Sequence, residues 1–287
     1  MTRYIREIKN PFHGLWSLTH RELKKWYKAP IVLFISVVQP IIWIGLFGKA
    51  MNINAIFTST MTTLNQKLPP NFAEQIMSKT FGTLDYFSFM AVGMLSFVIL
   101  FSAMFSGMSI VWDRRLGFLN KVLSTPVARG VIIVSKIFSA TIRSLIQAGI
   151  VLLAALLLGL HLHQNITFLK ILGVFLVLLL LCVGLASMFL MIAIRSTRWE
   201  TQMAVVNLLN LPLLFASNVL FPVKLMPSWL QTVAKVNPIT YATDAIRQLL
   251  IYETNFSQLT FDLIYLTAFT TVLVITGIIL SWKYLNK

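Results

Sequence analysis

The sequence predicts an all-α membrane protein with six transmembrane helices, an N-terminal helix at the membrane surface, and short re-entrant helices between helices five and six. Three observations predict this fold class. Hydrophobic residues make up 57% of the chain and charged residues 11%, whereas a soluble domain has about 25% charged residues. Six apolar runs are long enough to cross a bilayer, and the charged residues gather between them. Because a charge at the bilayer centre costs roughly 3 kcal/mol, this segregation is typical of a multi-pass membrane protein.

A helix that crosses the hydrocarbon core needs about 20 mostly apolar residues. Runs of this kind, with no acidic residue deep inside, are residues 31–48, 86–112, 131–160, 168–194, 203–221 and 259–282. We therefore expect one transmembrane domain over residues 31–287 after an N-terminal segment, 1–30. Residues 11–28 mix Leu, Trp and Tyr with His, Lys and Arg, which suits a helix lying in the membrane surface. Such a helix can be an anchor or a contact surface for a cytoplasmic partner, and both interpretations stay open.

The distribution of basic residues predicts the orientation. With the N-terminus inside, the cytoplasmic pieces carry 15 Lys and Arg residues and the external pieces carry 7. The positive-inside rule then places both termini in the cytoplasm of a protein of the plasma membrane.

Lys136 and Arg143 lie further inside a predicted span than any other basic residue. With Ser139 and Gln147 they recur at helical spacing on one face of helix three. Helix three is long enough for its first two turns to reach the headgroup zone, so we favour snorkelling of these charges over a functional charge inside the membrane.

Several function classes lack their sequence signals. The net charge of +15 does not indicate nucleic-acid binding, because the basic residues lie between apolar runs. No metal site is predicted, since His161 and His163 have no acidic or cysteine ligand nearby in the sequence. The chain has no GxxxxGK[ST] phosphate loop, so ATP chemistry must come from another polypeptide. A membrane-embedded enzyme would need converging catalytic groups, and an ion-coupled carrier would need an intramembrane carboxylate or paired broken helices; we find neither.

The segment after helix two, residues 112–126, reads W-D-R-R-L-G-F-L-N-K-V-L-S-T-P. Its leucines are spaced by three and four residues opposite charged positions, which predicts one amphipathic helix that Pro126 ends. We expect Arg114 and Arg115 to face a partner and to support no packing between helices.

The segment after helix five, residues 221–247, reads F-P-V-K-L-M-P-S-W-L-Q-T-V-A-K-V-N-P-I-T-Y-A-T-D-A-I-R. Prolines break its first part, and Asn237 followed by Pro238 predicts an N-cap and a first helical position. Asp244 and Arg247 are spaced to form an ion pair. We expect two short helices that dip into the outer leaflet and are buried against protein.

Two helix faces are candidates for the wall of a central path. Methionine and phenylalanine residues follow helical spacing along helix two, and asparagines follow one side of helix five around Pro212. Adaptable apolar surfaces and intramembrane asparagines are typical of faces that contact protein or a cavity. Ordinary packing between helices remains an alternative.

Together, the N-terminal helix, the 112–126 segment and the 221–247 segment resemble the permease subunit of type-2 ABC transporters. This family includes daunorubicin-resistance exporters and exporters of nodulation factors and cell-surface polysaccharides. The resemblance covers essentially the whole chain. One departure is the Arg114-Arg115 pair, where the family pattern has an Arg followed by Glu.

The resemblance implies a six-helix subunit that dimerises, docks ATPase subunits and carries no cofactor, while ATP and Mg²⁺ bind the partner. It implies a coupling helix at about 112–126, with Arg114, Arg115, Leu116, Gly117, Leu119, Leu123 and Pro126. The implied substrate path contains Met90, Met94, Phe97, Phe101, Met104, Asn207, Asn210 and Asn218. An external gate is implied within about 221–252, with Pro222, Pro227, Trp229, Asn237, Pro238, Asp244 and Arg247.

These expectations favour a non-enzymatic permease of an ATP-driven exporter, with ATP hydrolysis on a separate subunit, because this chain has no phosphate loop. A drug-like, lipid or glycolipid substrate is favoured over polysaccharide or teichoic acid, since the expected path has several Met and Phe and few polar groups. The expected partners are ATPase subunits, a second permease copy and membrane lipid. An ion-coupled carrier or a membrane-embedded enzyme remains the alternative of another class.

Overall fold

The computed structural model describes residues 11–50, 72–83, 85–125, 127–164, 166–196 and 198–285, and it is all-helical over these ranges. The predicted fold class is thus confirmed as all-α. The helices are α1 (Pro11–Tyr27), α2 (Pro30–Trp43), α3 (Phe72–Phe81), α4 (Tyr86–Arg115), α5 (Phe118–Leu123), α6 (Arg129–Leu157), α7 (Phe168–Arg195), α8 (Trp199–Phe215), α9 (Ser228–Ala234), α10 (Pro238–Leu250) and α11 (Phe256–Leu285). A π-helical stretch, Ile44–Ala50, continues α2, and a 3₁₀ turn, Val223–Leu225, precedes α9.

Four helical stretches are long and apolar enough to cross a membrane: Met77–Arg115, Arg129–Leu157, Phe168–Arg195 and Phe256–Tyr284. They coincide with predicted spans two, three, four and six. The other two predicted spans correspond to α2, which has 14 residues, and α8, which has 17. The count of six spans therefore stays a prediction.

Helix α4 lies at the centre of the protein, and most of its residues are buried. Glycines allow this close packing because a side chain at these positions would collide with neighbouring backbone. A Cβ at Gly93 would lie 2.5 Å from the Val219 carbonyl oxygen, and one at Gly107 would lie 2.7 Å from the Phe189 carbonyl oxygen. Small residues at helix contacts are the usual means of close approach in membranes.

The sequence predicts one amphipathic helix over residues 112–126, and this prediction is wrong because the helix is interrupted. Helix α4 continues to Arg115, Gly117 has a φ of 70°, and α5 begins at Phe118. A glycine with positive φ commonly ends a helix, because glycine has no Cβ and adopts the left-handed conformation without a steric cost. The chain therefore turns at Gly117 and places α5 against the end of α4. Pro126 lies outside the described residues.

Helix α8 begins and ends earlier than the predicted span 203–221. It runs Trp199–Phe215, and residues 216–221 form turns rather than a helix. The side chain of Asn237 donates to the carbonyls of Leu213, at 2.8 Å, and Ala216, at 2.7 Å. These bonds satisfy carbonyls at the helix end, which would otherwise lack partners.

Asn237 also caps α10, as predicted. Its Oδ1 accepts from the Ile239 amide at 3.0 Å, and Pro238 occupies the first turn. Ten of the 13 residues of α10 are buried, whereas α9 leaves Trp229 68% exposed. Burial against protein is thus confirmed for α10, while re-entry of either helix into the membrane stays a prediction.

Candidate functional site

Five charged side chains join α1 to the adjacent ends of α4 and α6. We call Arg21, Glu22, Lys25, Asp113 and Lys136 the α1 charge cluster. Asp113 lies at its centre and accepts from Lys136 Nζ at 2.7 Å, from Lys25 Nζ at 2.8 Å and from Arg21 Nη2 at 3.0 Å. Glu22 contacts the same three cations at 3.0 to 3.4 Å. The cluster therefore ties three helices together through shared carboxylates.

The cluster is largely shielded from solvent. Asp113 and Lys136 are 2% and 4% exposed, and Lys136 also donates to Ser109 Oγ at 3.0 Å. The predicted snorkelling of Lys136 is wrong, because its ammonium group points into protein and pairs with a carboxylate. Breaking such a buried pair typically costs about 3–5 kcal/mol, since it leaves a charge without compensation.

Helix α5 contacts the same cluster. The guanidinium carbon of Arg21 lies 3.1 Å from the centroid of the Phe118 ring, a cation–π contact with the first residue of α5. Leu119 is buried and Leu123 is partly buried, whereas Leu116 is 73% exposed. The prediction that the three leucines share one apolar face is therefore wrong for Leu116, because the turn at Gly117 separates it from α5.

Arg114 and Arg115 have different environments. Arg114 donates to the carbonyls of Ser196, at 2.6 Å, and Ile194, at 2.8 Å, and so caps the end of α7. The expectation that neither arginine supports helix packing is wrong for Arg114. Arg115 is exposed and lies 5.9 Å from the Trp112 ring centroid. The exposed surface at this end of the molecule includes Arg115, Leu116, Asn120 and Lys121.

A cavity of about 250 Å³ lies between α1, α2, α4 and α6. Its lining is mostly apolar and aromatic, and its polar groups come from serine, glutamine and one arginine. The lining residues are Trp26, Ile35, Ser36, Gln39, Pro40, Phe97, Val98, Phe101, Ser102, Phe105, Arg143 and Gln147. Within it, Gln147 Nε2 donates to Ser36 Oγ at 2.6 Å, and Arg143 Nε donates to the Ser139 carbonyl at 3.2 Å.

Two of the predicted path residues on helix two, Phe97 and Phe101, line this cavity. Met90 and Met94 are fully buried, and Met104 is 5% exposed. These methionines therefore pack in the protein core in this conformation rather than along an open wall. The assignment of a substrate path stays a prediction.

The three asparagines predicted to share one face of helix five have different environments. Asn207 is exposed, Asn210 has a buried Oδ1 without a hydrogen-bond partner, and Asn218 lies beyond the end of α8. The grouping of Asn218 with the helical asparagines is therefore wrong, because α8 ends at Phe215.

At the opposite end of α4, Arg247 is buried in a cage of backbone carbonyls. It is 1% exposed. It donates to the carbonyls of Asn218, at 2.7 Å, Val219, at 3.0 Å, and Phe89, at 2.9 Å, and its guanidinium lies 3.4 Å from the Phe89 ring centroid. We call these contacts the Arg247 lock. It joins α10 to α4 and to the chain that follows α8.

The predicted ion pair between Asp244 and Arg247 is wrong. Among the described residues, no ion pair within 4 Å links them, and Asp244 instead accepts from Gln248 Nε2 at 3.1 Å. Burial lowers the pKa of Arg247 to about 10, so the group stays charged at neutral pH. Carbonyl oxygens satisfy its donors in place of a carboxylate, which suits the five-donor fork of a guanidinium.

The lock and its surroundings border a second cavity, of about 430 Å³. Pro222, Asp244 and Arg247 of the predicted gate line it, whereas Pro227 and Trp229 lie outside its wall and are exposed. The gate function of these residues stays a prediction.

Sequence reasoning missed the buried carboxylates at the ends of the spans. Asp113 lies in the last turns of α4, and Asp262 is fully buried in the second turn of α11, where Gln248 and Gln258 donate to it at 3.2 and 3.1 Å. Both carboxylates lie near helix ends and not deep inside a span, so their burial, and not their position, is what the sequence did not predict. Both residues lie next to polar loops in the sequence, which did not indicate that they are buried. The basic residues of α1 could have indicated a carboxylate partner such as Asp113.

The arrangement combines a central buried helix, a charge cluster at one of its ends and a buried arginine near the other. A family model described as the ABC-2 type transporter matches residues 13–251, which include all three features. The chain belongs to the ABC-2 type transporter family. This agrees with the resemblance found in the sequence.

Individual relatives of this ABC-2 protein carry permease names. A protein of Cyanophora paradoxa named as a transport permease, ycf38, is 31% identical over 234 residues, which are 81% of this chain and 72% of that protein. The daunorubicin resistance ABC transporter permease DrrB1 of Streptomyces coeruleorubidus is 23% identical over 58% of this chain and 59% of its own length. YbhR of Escherichia coli K12, named as a multidrug ABC transporter permease, is 26% identical over 66% of this chain and 51% of its own length. The ABC-2 protein is therefore a multi-pass membrane subunit of an ABC transporter.

Proposed function

We propose that this ABC-2 subunit is the permease of an ATP-driven exporter in the plasma membrane, with both termini in the cytoplasm. Separate ATPase subunits bind ATP and Mg²⁺ and dock at the end of the molecule that carries α1 and α5. The exported substrate is drug-like, lipid or glycolipid. The charge asymmetry of 15 to 7 supports this orientation, because it puts the α1 charge cluster on the inner side.

The observation that carries this proposal is the α1 charge cluster. Asp113 and Glu22 link α1 to α4 and α6, and Arg21 extends the contacts to Phe118 of α5. A surface helix held only by lipid could not move a span. A surface helix bonded to two spans through buried charges transmits a displacement to both, because packed elements move as units.

Helix α4 extends this connection across the protein. Asp113 and Phe89 are 24 residues apart on the same helix, or about 36 Å at 1.5 Å per residue. Phe89 belongs to the Arg247 lock. A movement of α4 driven at the cluster would therefore reach the lock, which holds α10 and the chain after α8, and would open or close the cavity beside it.

The cavity between α1, α2, α4 and α6 supports an amphipathic substrate. Phe97, Phe101 and Phe105 form an aromatic wall, and few polar groups face it. Sugars need many hydrogen-bonding groups, whereas drug-like and lipid molecules bind pockets that are mostly apolar with a few polar groups.

A second copy of the chain is the expected partner within the membrane. Helix α8 leaves Leu208 71% exposed and Leu211 58% exposed, and it makes limited contact with the rest of the protein. In a homodimer this face would contact its equivalent and enclose a path between the subunits.

The test is a pair of charge reversals on the exposed docking surface. We expect the exposed basic side chains to meet an acidic or apolar groove on the ATPase. Arg115→Glu combined with Lys121→Glu places two negative charges against that groove, and like charges at an interface cost several kcal/mol. We expect normal insertion but reduced co-purification with the ATPase and reduced ATP turnover stimulated by substrate. Arg114 is left intact because it caps α7.

Lys170→Glu, at a partly exposed position near the start of α7 at the opposite end and outside both cavities, is the matched control and should behave as the parent. If the double variant co-purified with the ATPase at the parental stoichiometry and transported at the parental rate, the assignment of this surface as the ATPase docking site would be wrong. ATP hydrolysis by the purified chain alone would contradict the division of labour between subunits.

A further inference from the structure

The cavity between α1, α2, α4 and α6 contains a charged side chain that forms no ion pair within 4 Å among the described residues. Arg143 is one of the residues that line the cavity. In the part of the chain that the structure describes, its hydrogen bond from Nε to the Ser139 carbonyl is the one it makes, and no carboxylate oxygen lies within 4 Å. The two terminal nitrogens of the guanidinium thus have donors free for a ligand.

The surrounding charges increase this imbalance. The α1 charge cluster holds three cations and two carboxylates, so both carboxylates are already shared. Arg143 is seven residues beyond Lys136 on α6, or about 10 Å further along the span. An unpaired cation at this depth is costly, and such residues in membrane proteins usually have an anionic partner or a water-filled site.

The rest of the cavity wall is mostly apolar and aromatic, with further polar side chains from Ser36, Gln39, Ser102 and Gln147. Phe97 and Phe101 lie in contact, with ring centroids 4.6 Å apart, and Phe105 follows one turn later. Phe105 is 45% exposed and Ile35 is 56% exposed, so the cavity opens on the side of the helical bundle. A ligand could therefore enter sideways from the bilayer, with an apolar body along the aromatic wall and a polar head at Arg143.

We propose that this cavity binds an anionic amphiphile, whose phosphate or carboxylate head pairs with Arg143 and whose apolar body packs against Phe97, Phe101 and Phe105. A guanidinium can donate two parallel hydrogen bonds to either head group, which an ammonium cannot do in the same plane. The ligand is either a resident membrane phospholipid or the transported substrate, because both carry this chemistry. The second source rests on the proposed export function, whereas binding itself does not.

Binding is measured on the purified full chain without an ATPase. The delipidated protein is titrated with phosphatidylglycerol, phosphatidylcholine and dodecyl phosphate, and bound ligand is counted by native mass spectrometry. We expect one phosphatidylglycerol or dodecyl phosphate per chain in the parent. Arg143→Gln should weaken this binding at least tenfold, and Arg143→Lys should weaken it less because it keeps the charge.

Two further variants separate the site from general effects. Lys283→Gln removes the same charge from an exposed position and should bind as the parent. Ser102→Leu fills the cavity while leaving Arg143 in place, and should also reduce binding at least tenfold. Equal affinity in the parent and in Arg143→Gln would overturn the proposal, as would an equal loss in Lys283→Gln or equal binding of phosphatidylcholine in every variant.

The source of the ligand is decided in vesicles that contain the chain and its ATPase. If the ligand is substrate, ATP drives movement of the anionic amphiphile across the bilayer, and Arg143→Gln abolishes that movement. If it is a resident lipid, one molecule stays bound through turnover and is not moved. Either result supports the site. If the parent chain binds the amphiphile but moves no tested substrate when ATP is supplied, the result counts against the proposed export function alone.

Discussion

Replacing Asp113 with Asn tests whether the α1 charge cluster holds α1 against the spans. The parent carboxylate accepts from three cations and is 2% exposed. The asparagine has nearly the same volume but no charge, so Lys136 would keep Glu22, at 3.4 Å, as its carboxylate partner in the cluster. Breaking a buried pair costs about 3–5 kcal/mol. At about 1.4 kcal/mol per factor of ten, detachment of α1 should become at least a hundredfold more frequent.

Thr19 offers a direct readout of this detachment. It is fully buried in α1, and its hydroxyl has no hydrogen-bond partner in the described structure. Thr19→Cys therefore introduces a thiol that a water-soluble maleimide reaches only when α1 moves away. The natural Cys182 is also fully buried, in α7, and reports unfolding of the spans in the same experiment. We expect Asp113→Asn to accelerate labelling at position 19 and to leave the labelling of Cys182 unchanged.

A double variant checks the physical cause. Lys136→Met removes the cation that loses its strongest partner, so adding it to Asp113→Asn should recover much of the protection of position 19. Arg21 and Lys25 keep access to solvent, at 28% and 47% exposure. Glu253→Gln removes an exposed carboxylate and should change nothing. Labelling rates within threefold of the parent in Asp113→Asn would refute the role of the cluster.

Four further outcomes are expected. Gly117→Ala should destabilise the chain by about 1–2 kcal/mol, because its φ of 70° is unfavourable for a residue with a Cβ and the added methyl meets no neighbour within 4 Å; Gly149→Ala, with equal space and ordinary φ, should not destabilise it in the same denaturation assay. Gly93→Ala should cost about 1–3 kcal/mol through its 2.5 Å approach to the Val219 carbonyl, and an unchanged melting temperature would contradict this packing. A cysteine placed at Ser257 should react with an impermeant reagent from outside intact cells, and one at Arg115 should not; the reverse pattern would invert the topology. The purified chain should hydrolyse no ATP in a phosphate-release assay, and turnover proportional to its concentration would contradict this.

The sequence was informative where a structural feature depends on local chemistry. Long apolar runs predicted four helical stretches that the structure contains and that are long and apolar enough to cross a bilayer, since length and hydropathy are local properties of a sequence. The Asn237-Pro238 pair predicted the start of α10, because a cap and a fixed φ act within one turn. The sequence also indicated the N-terminal helix, through its mixture of aromatic and basic residues.

The contacts of the candidate site could not be predicted in this way, because they join residues far apart in the chain. Asp113 pairs with Arg21, 92 residues earlier, and no periodicity records that contact. Arg247 has a potential partner one helical turn away in Asp244, yet it binds carbonyls 28 and 158 residues earlier. Burial favours this choice: the carbonyls of Asn218 and Val219 lie in the turns after α8, outside a regular helix, whereas Asp244 is partly exposed and has Gln248 as a partner.

The two buried charged groups along α4 are stabilised differently, and this difference bears on how the subunit would move. The α1 charge cluster consists of charge-assisted hydrogen bonds around two carboxylates that each contact three cations, and the Coulomb part of this attraction changes gradually with distance. The Arg247 lock consists of directed hydrogen bonds to three carbonyls, whose strength falls steeply with misalignment. A shift of α4 would therefore preserve the contacts at the α1 end while breaking those at the lock. Helix α10 and the chain after α8 would be released first, and under the proposed export function the lock would then separate two states of the cavity beside it.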